Sequence, residues 1–130
     1  MIMVTDALLP LLRRRSAAPR IVNVSSGVGS LANMTDRDHY MSRLPAVVAY
    51  PVSKTALNSL TVQYAKALAD DGVKVNAVAP GPSATDFTKG LPYQVTCTAA
   101  QGAAIAVRLA TIGADGPTGA SSTTTAPCGW

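Results

Sequence analysis

Apolar and polar positions change period several times along the chain, and each change predicts an element. Residues 2–15, IMVTDALLPLLRRR, have the pattern of the tail of an amphipathic helix that enters the sequence already in progress. They close on arginines, whose charge suits a helix C-terminus. AAPR at 17–20 predicts a turn, and IVNVS at 21–25 a short β-branched strand of the buried kind found in parallel sheets. SGVGS at 26–30 ends that strand in glycines, and the polar stretch 31–48 predicts a loop or a short surface helix. From 50 to 70, Ala56, Leu57, Leu60, Tyr64 and Leu68 recur at near-helical spacing, which predicts a long helix. DDG at 70–72 ends it, and VKVNAVA at 73–79 predicts a second buried strand. PGPSATDFTKGLP is too rich in Pro and Gly to be an element. Residues 98–112 predict a helix with a Thr98–Gln101 capping box that runs on through Gly102. Turns follow, with an edge strand near 119–123. Strand, helix, strand, helix is an α/β pattern whose helices are long enough to cross over a parallel sheet.

Composition narrows the function classes. The 130 residues give room for one domain, 1–130, with a modest core. Hydrophobic residues make up 48% and charged residues 14%, with mean hydropathy +0.22, and this apolar surplus implies surface that something else covers. The net charge of +4 comes largely from Arg13–Arg15 and scattered lysines. With one Phe and one Trp, the chain has neither the broad basic field nor the aromatics of a nucleic-acid site. Cys97 and Cys128 form no CxxC, and His39 stands without a ligand pattern for zinc, so unpaired thiols in a reducing cytoplasm are expected. The opening MIMVTDALLPLL is short, broken by Asp6 and Pro10, and has no basic region before it. Neither a signal peptide nor a membrane span is expected, and the protein is read as soluble.

Ligands of open α/β sheets sit at the carboxyl ends of the strands. Ser25, Ser26 and Gly27 follow the first strand there, and Pro80, Gly81 and the loop with Thr85 follow the second. Tyr50 and Lys54 lie in the first turns of the intervening helix, near the same edge. A phenol ionises near pH 10, about three units too high for a good base at neutrality. An ammonium one turn along the helix favours its anion through space and can also bind a cofactor hydroxyl. A serine hydroxyl can hold a carbonyl oxygen while the phenol gives or takes a proton. Such proton management is half of a reaction whose other half is a hydride, which requires a nicotinamide. Each piece alone is more often structural: a Tyr and a Lys at i,i+4 usually lie on a solvated face, and SS after a strand is usually a turn. Their order along the chain gives them force. A hydrolase using Ser26 fails, since NVSSGVG lacks the GxSxG elbow and His39 is the only histidine.

That ordered set resembles the short-chain dehydrogenase/reductase superfamily of the classical type. RIVNVSSGVGS looks like the family's fifth strand with its catalytic serine, which falls on Ser26. YPVSK is similar to the Tyr-x-x-x-Lys motif, giving Tyr50 and Lys54. VKVNAVAPGPSATD looks like strand six and its Pro-Gly turn, Pro80 and Gly81, with Thr85 where the family holds the nicotinamide carboxamide. GADGPTGASSTTTAPCGW resembles a subgroup's tail that ends in Gly-Pro-Thr-Gly and a final Trp, here Trp130. The resemblance implies part of a Rossmann-like doubly wound parallel sheet in a cytoplasmic enzyme that interconverts a small-molecule carbonyl and a secondary alcohol with NADP or NAD. Ser26, Tyr50 and Lys54 would be catalytic. Tyr50, Lys54, Pro80, Gly81 and Thr85 would contact the cofactor, Lys54 at the nicotinamide ribose.

The departures shape the expectation. SSGVGS is not the GxGxxG turn that brings backbone and a helix N-terminus to a pyrophosphate, and no other stretch of these 130 residues is one. The opening helix looks like the later part of the one that carries the family's catalytic asparagine. The chain is therefore expected to be a C-terminal half, with the family's serine, tyrosine and lysine but not its asparagine. Two readings stand: an oxidoreductase, with activity of this short chain itself in question, and a catalytically inactive fragment that oligomerises. Under either, a homo-oligomer is expected through the 50–70 helix, where Ala56, Ser59 and Ala67 permit close approach. An exposed sheet edge beside IVNVS is expected too. The 31–48 insertion would lie by the substrate, with His39 and Tyr40 either touching it or standing as ordinary exposed loop residues.

Overall fold

The computed structural model describes residues 1–15, 17–91 and 94–123. Strands β1 (Arg20–Val24), β2 (Lys74–Ala79) and β3 (Ser121–Thr123) form a parallel sheet in that order, with Ile21 opposite Val75 and Val78 opposite Ser122. The helices are α1 (Ile2–Arg15), α2 (Leu31–Thr35), α3 (Ala49–Ala67) and α4 (Ala99–Ala110). Short 3₁₀ turns lie at Gly27–Gly29, Tyr40–Arg43 and Asp86–Thr88.

Side chains of a strand alternate between faces, so the two apolar clusters identify two layers. Val75 packs with Ala65, Leu68 and Val73, joined by Ile21, Tyr64 and Leu9, which puts α3 and α1 on one face. Val78 packs with Ile105 and Leu109, joined by Val22, Ala106 and Ile112, which puts α4 on the other. Helices thus cover both faces of a parallel sheet, the doubly wound arrangement expected from the alternating pattern.

Buried polar side chains fix the register. Asn23, on the α3 face of β1, donates to the Thr61 hydroxyl at 2.9 Å, and both residues are buried. On the α4 face Asn76 donates to the Pro117 carbonyl at 2.8 Å and accepts from the Ala120 amide at 3.2 Å. The Thr118 hydroxyl accepts from the Val75 amide, and the Gly119 amide donates to the Val75 carbonyl at 2.7 Å. Gly119 takes a φ of 71°, a conformation that favours glycine. The GPTG motif therefore docks β3 onto β2, and residues 124–130, with Trp130 and Cys128, lie outside the described residues.

The predicted boundaries hold to within a few residues. The Thr98–Gln101 capping box is present, with the Thr98 amide donating to Gln101 Oε1 at 2.8 Å and the Gln101 amide to Thr98 Oγ1 at 3.2 Å. The 31–48 segment forms α2 and the 40–43 turn. One expectation is corrected: Cys97 is buried and disulfide-bonded rather than a free thiol. Sequence spacing could not show this, because pairing depends on which segments the fold brings together. The support that unpaired thiols gave to a reducing compartment is withdrawn with it. Among the described residues no helix is long and apolar enough to cross a membrane.

Candidate active site

The carboxyl ends of β1 and β2 and the first turns of α3 meet at one edge of the sheet. A cavity of about 390 Å³ opens there, and all six residues singled out from the sequence line it: Ser26, Tyr50, Lys54, Pro80, Gly81 and Thr85. A space of that size falls in the range of small-molecule sites.

The two serines of the SS pair divide their tasks. Ser25 is buried, and its hydroxyl donates to Asn58 Oδ1 at 2.6 Å, while its amide donates to the Val78 carbonyl at 2.7 Å. Ser26 follows in extended backbone, φ −153° and ψ 153°, and its hydroxyl caps nothing and has no partner among the described residues. Sequence reasoning identified Ser26 but missed Asn58, although Asn58 stands one turn beyond Lys54 on the face that carries Tyr50.

Gly29 sets the distance between this turn and α3. A Cβ there would lie 2.9 Å from the Lys54 carbonyl carbon, so a larger residue would push the helix away. The Gly29 carbonyl accepts from Asn58 Nδ2 at 3.2 Å and lies 3.1 Å from the Thr55 hydroxyl. Tyr50 and Lys54 are thereby placed over the end of β1.

The Lys54 ammonium lies 5.5 Å from the centre of the Tyr50 ring and donates to the Val24 carbonyl at 2.9 Å. A trans peptide points that carbonyl opposite to the Ser25 amide, which faces β2, so Lys54 binds the outward edge of β1. An ammonium has three protons, and this bond takes one. The Tyr50 hydroxyl has no partner among the described residues, and its ring lies 6.1 Å, tilted, from that of Phe87.

The β2 side is a turn of small residues. Gly81 has a φ of 76°, which a side chain would strain. Gly102, in α4, is buried against this turn: a Cβ there would come within 2.0 Å of the Ser83 hydroxyl. That contact explains a glycine inside a helix. The Thr88 hydroxyl donates to the Ser83 carbonyl at 2.7 Å and accepts from the Thr85 amide at 3.1 Å, holding Thr85 at the cavity mouth.

Of the loop candidates, Tyr40 lines the cavity, whereas His39 caps the 40–43 turn by accepting from the Met41 amide and stacks on Tyr40. Met41 and Phe87, both in the wall, were missed; nothing in their spacing marks them. Among the described residues no group of side chains could hold a metal ion.

As a donor set, two uncommitted hydroxyls, an ammonium with protons to spare and a glycine turn fit the nicotinamide and ribose end of a dinucleotide. They fit no pyrophosphate, because the turn after β1 leads into a 3₁₀ turn and a five-residue helix rather than a long helix N-terminus.

A parallel sheet wound on both faces thus brings a serine, a tyrosine and a lysine together at its carboxyl edge. Residues 1–96 match the short chain dehydrogenase family, and the chain belongs to that family. It is 47% identical over 51 residues, 39% of its length and 20% of the relative's, to a 3alpha-hydroxysteroid dehydrogenase of Mediterraneibacter gnavus. It is 36% identical over 97 residues, 74% of its length and 34% of the relative's, to the 3-oxoacyl-[acyl-carrier-protein] reductase FabG of Thermotoga maritima. The solved Pseudomonas aeruginosa RhlG/NADP active-site complex superimposes with a TM-score of 0.71 at 27% identity, over 94% of this chain and 50% of that one. The chain thus spans between a fifth and about a third of these curated relatives and about half of that structure.

Proposed function

We propose that this chain carries the substrate and nicotinamide side of an NAD(P)-dependent oxidoreductase site that interconverts a carbonyl and a secondary alcohol. The observation that supports it most is the pair of uncommitted hydroxyls, Ser26 and Tyr50, in one cavity with Lys54. Ser26 donates to the substrate oxygen and holds it. Tyr50 passes its phenolic proton to that oxygen during reduction and takes it back during oxidation. Lys54, one turn along, favours the phenolate by charge and offers its remaining protons to the ribose hydroxyls. Pro80 and Gly81 would contact the nicotinamide, and Thr85 would meet its carboxamide by turning its hydroxyl from the Ser83 carbonyl, to which it donates at 3.3 Å. The bound nicotinamide supplies or accepts the hydride. The NADP in the RhlG structure favours testing NADP before NAD.

Deuterium transfer from 4-deuterated NADPH to a ketone, read by mass spectrometry, registers even slow turnover. Transfer is expected in the wild-type chain and falls by about 10²–10⁴-fold in Tyr50→Phe, the usual worth of a positioned acid. No transfer, or transfer undiminished in Tyr50→Phe, contradicts the proposal.

A second reading, an oligomerising module of the same single Rossmann-like unit, is favoured by the outer face of α3 and by α1. Ala56, Ser59 and Ala67 are all exposed, as are Val52 and Val62, and on α1 so are Met3 and Leu8. Apolar and small residues on neighbouring helices suit helix pairing between two copies. The two readings are compatible, since the oligomerising face lies away from the cavity lining.

A further inference from the structure

We propose that the cavity selects an uncharged ketone with an apolar group beside its carbonyl, and that Met41 is the residue that sets this preference. The inference rests on the proposed function only in taking the cavity as the substrate site.

Its starting point is the division of the cavity wall. The polar side chains described above gather at the sheet edge. Beside them the 31–48 segment contributes Tyr40, Met41 and Leu44, and the loop after β2 contributes Phe87 and Leu91. Among the described residues Lys54 is the only lining side chain that is charged at neutral pH. The Asp86–Lys89 ion pair lies outside this wall and neutralises itself. Met41, Leu44, Phe87 and Leu91 offer a carboxylate no hydrogen-bond or charged partner, whereas they offer an apolar group contact.

Met41 is tied to the reacting edge by a gap in the backbone of the serine turn. A Cβ on Gly27 would lie 2.2 Å from Met41 Cε and 3.1 Å from Sδ, so the absent side chain is what seats the Met41 methyl beside Ser26. An unbranched thioether fills such a space and adapts to the group that enters. A carbonyl held by Ser26 and Tyr50 would therefore set one substituent beside Met41, and the Phe87 ring flanks Tyr50.

The test uses the full 130-residue chain with methyl-¹³C methionine, which carries only four such methyls. The Met41 signal is assigned by its loss in Met41→Lys. Two probes of one size are titrated: 4′-methylacetophenone, uncharged, and 4-acetylbenzoate, which carries a carboxylate at the far end of the ring. The ketone is expected to shift the Met41 methyl saturably and to bind at least about tenfold more tightly than the carboxylate, the scale of desolvating an unpartnered charge. In Met41→Lys the order of the two probes reverses. Gly27→Ala displaces the Met41 methyl signal and weakens ketone binding. Equal affinities, saturable binding with the Met41 methyl unmoved, no reversal in Met41→Lys, or no binding of either probe would each overturn the assignment. Selective ketone binding without deuterium transfer from NADPH would uphold it and sink only the oxidoreductase reading.

Discussion

Ser25 and Ser26 are chemically identical neighbours with opposite expected phenotypes. Ser25→Ala removes the buried hydroxyl that donates to the half-buried Asn58 oxygen and is expected to destabilise the fold by about 1–3 kcal/mol in denaturant titrations. Ser26→Ala breaks no bond, so stability stays within about 0.5 kcal/mol while deuterium transfer is lost. If the two substitutions exchange these effects, the assignment of the carbonyl-holding serine is wrong. That Tyr50, Lys54 and Ser26 meet at one edge of the sheet was legible in the sequence, because their order along an α/β pattern is restrictive. Which serine is free, and that Asn58 holds the other, was not legible: a strand's alternation decides which hydroxyl faces α3, and a one-residue uncertainty in the strand end reverses it. Met41 was illegible for a different reason. Its partner is the empty space at Gly27, which leaves no mark on the spacing of either residue.

The secondary elements were largely readable, since period, caps and breakers act over a few residues. The capping box on α4 and the turn at Gly72, where φ is 67°, are local signals with local causes. Gly102 reads as a weakness in the same helix, and only the packed structure shows it making room for Ser83. Two effects of Gly102→Ala oppose one another: a gain of about 1 kcal/mol in helix propensity and the displacement of Ser83. Thermal stability is therefore expected to change little, while nicotinamide affinity falls because the Pro80–Thr85 turn moves. Unchanged affinity would show that the turn does not depend on this contact.

A second prediction concerns how α1 is held. The Tyr64 hydroxyl donates to Asp6 Oδ1 at 2.7 Å, joining α3 to α1. That hydrogen bond to a carboxylate, helped by desolvation and by the Asp6 charge, raises the Tyr64 pKa above the ordinary phenol value. A group raised on folding contributes stability that is complete below its unfolded pKa and is lost as pH rises through its folded one. The contribution is thus present at neutrality and disappears in the alkaline range above about pH 10. Tyr64→Phe is expected to be less stable than wild type at neutral pH and to lose this deficit as the solution becomes alkaline. A deficit that grows with pH would contradict the arrangement.

At the scale of the whole molecule, the described residues form three parallel strands with helices on both faces and a cavity at the carboxyl edge. β1 pairs with β2 alone among the described residues, and Lys54 bonds to a carbonyl on its other edge. The doubly wound class could be read from the alternation of elements. The docking of β3 could not, because it runs through the Asn76 side chain to residues some forty positions away. The apolar surplus in the composition reappears on the outer faces of α1 and α3. Ala56→Arg is therefore expected to shift sedimentation toward the monomer without changing cofactor affinity, and an unaltered sedimentation profile would remove α3 from the interface.

On the proposed function, this chain holds the nicotinamide end of a cofactor site and little of the rest. Calorimetric titration with reduced nicotinamide mononucleotide and with NADPH tests it most directly. The account predicts saturable binding of both, with affinities within about tenfold of each other, each weakened by Lys54→Met, since removing a charged hydrogen-bond donor costs about 1.5–3 kcal/mol. NADPH binding a thousandfold more tightly, or no saturable binding of the mononucleotide, would contradict it.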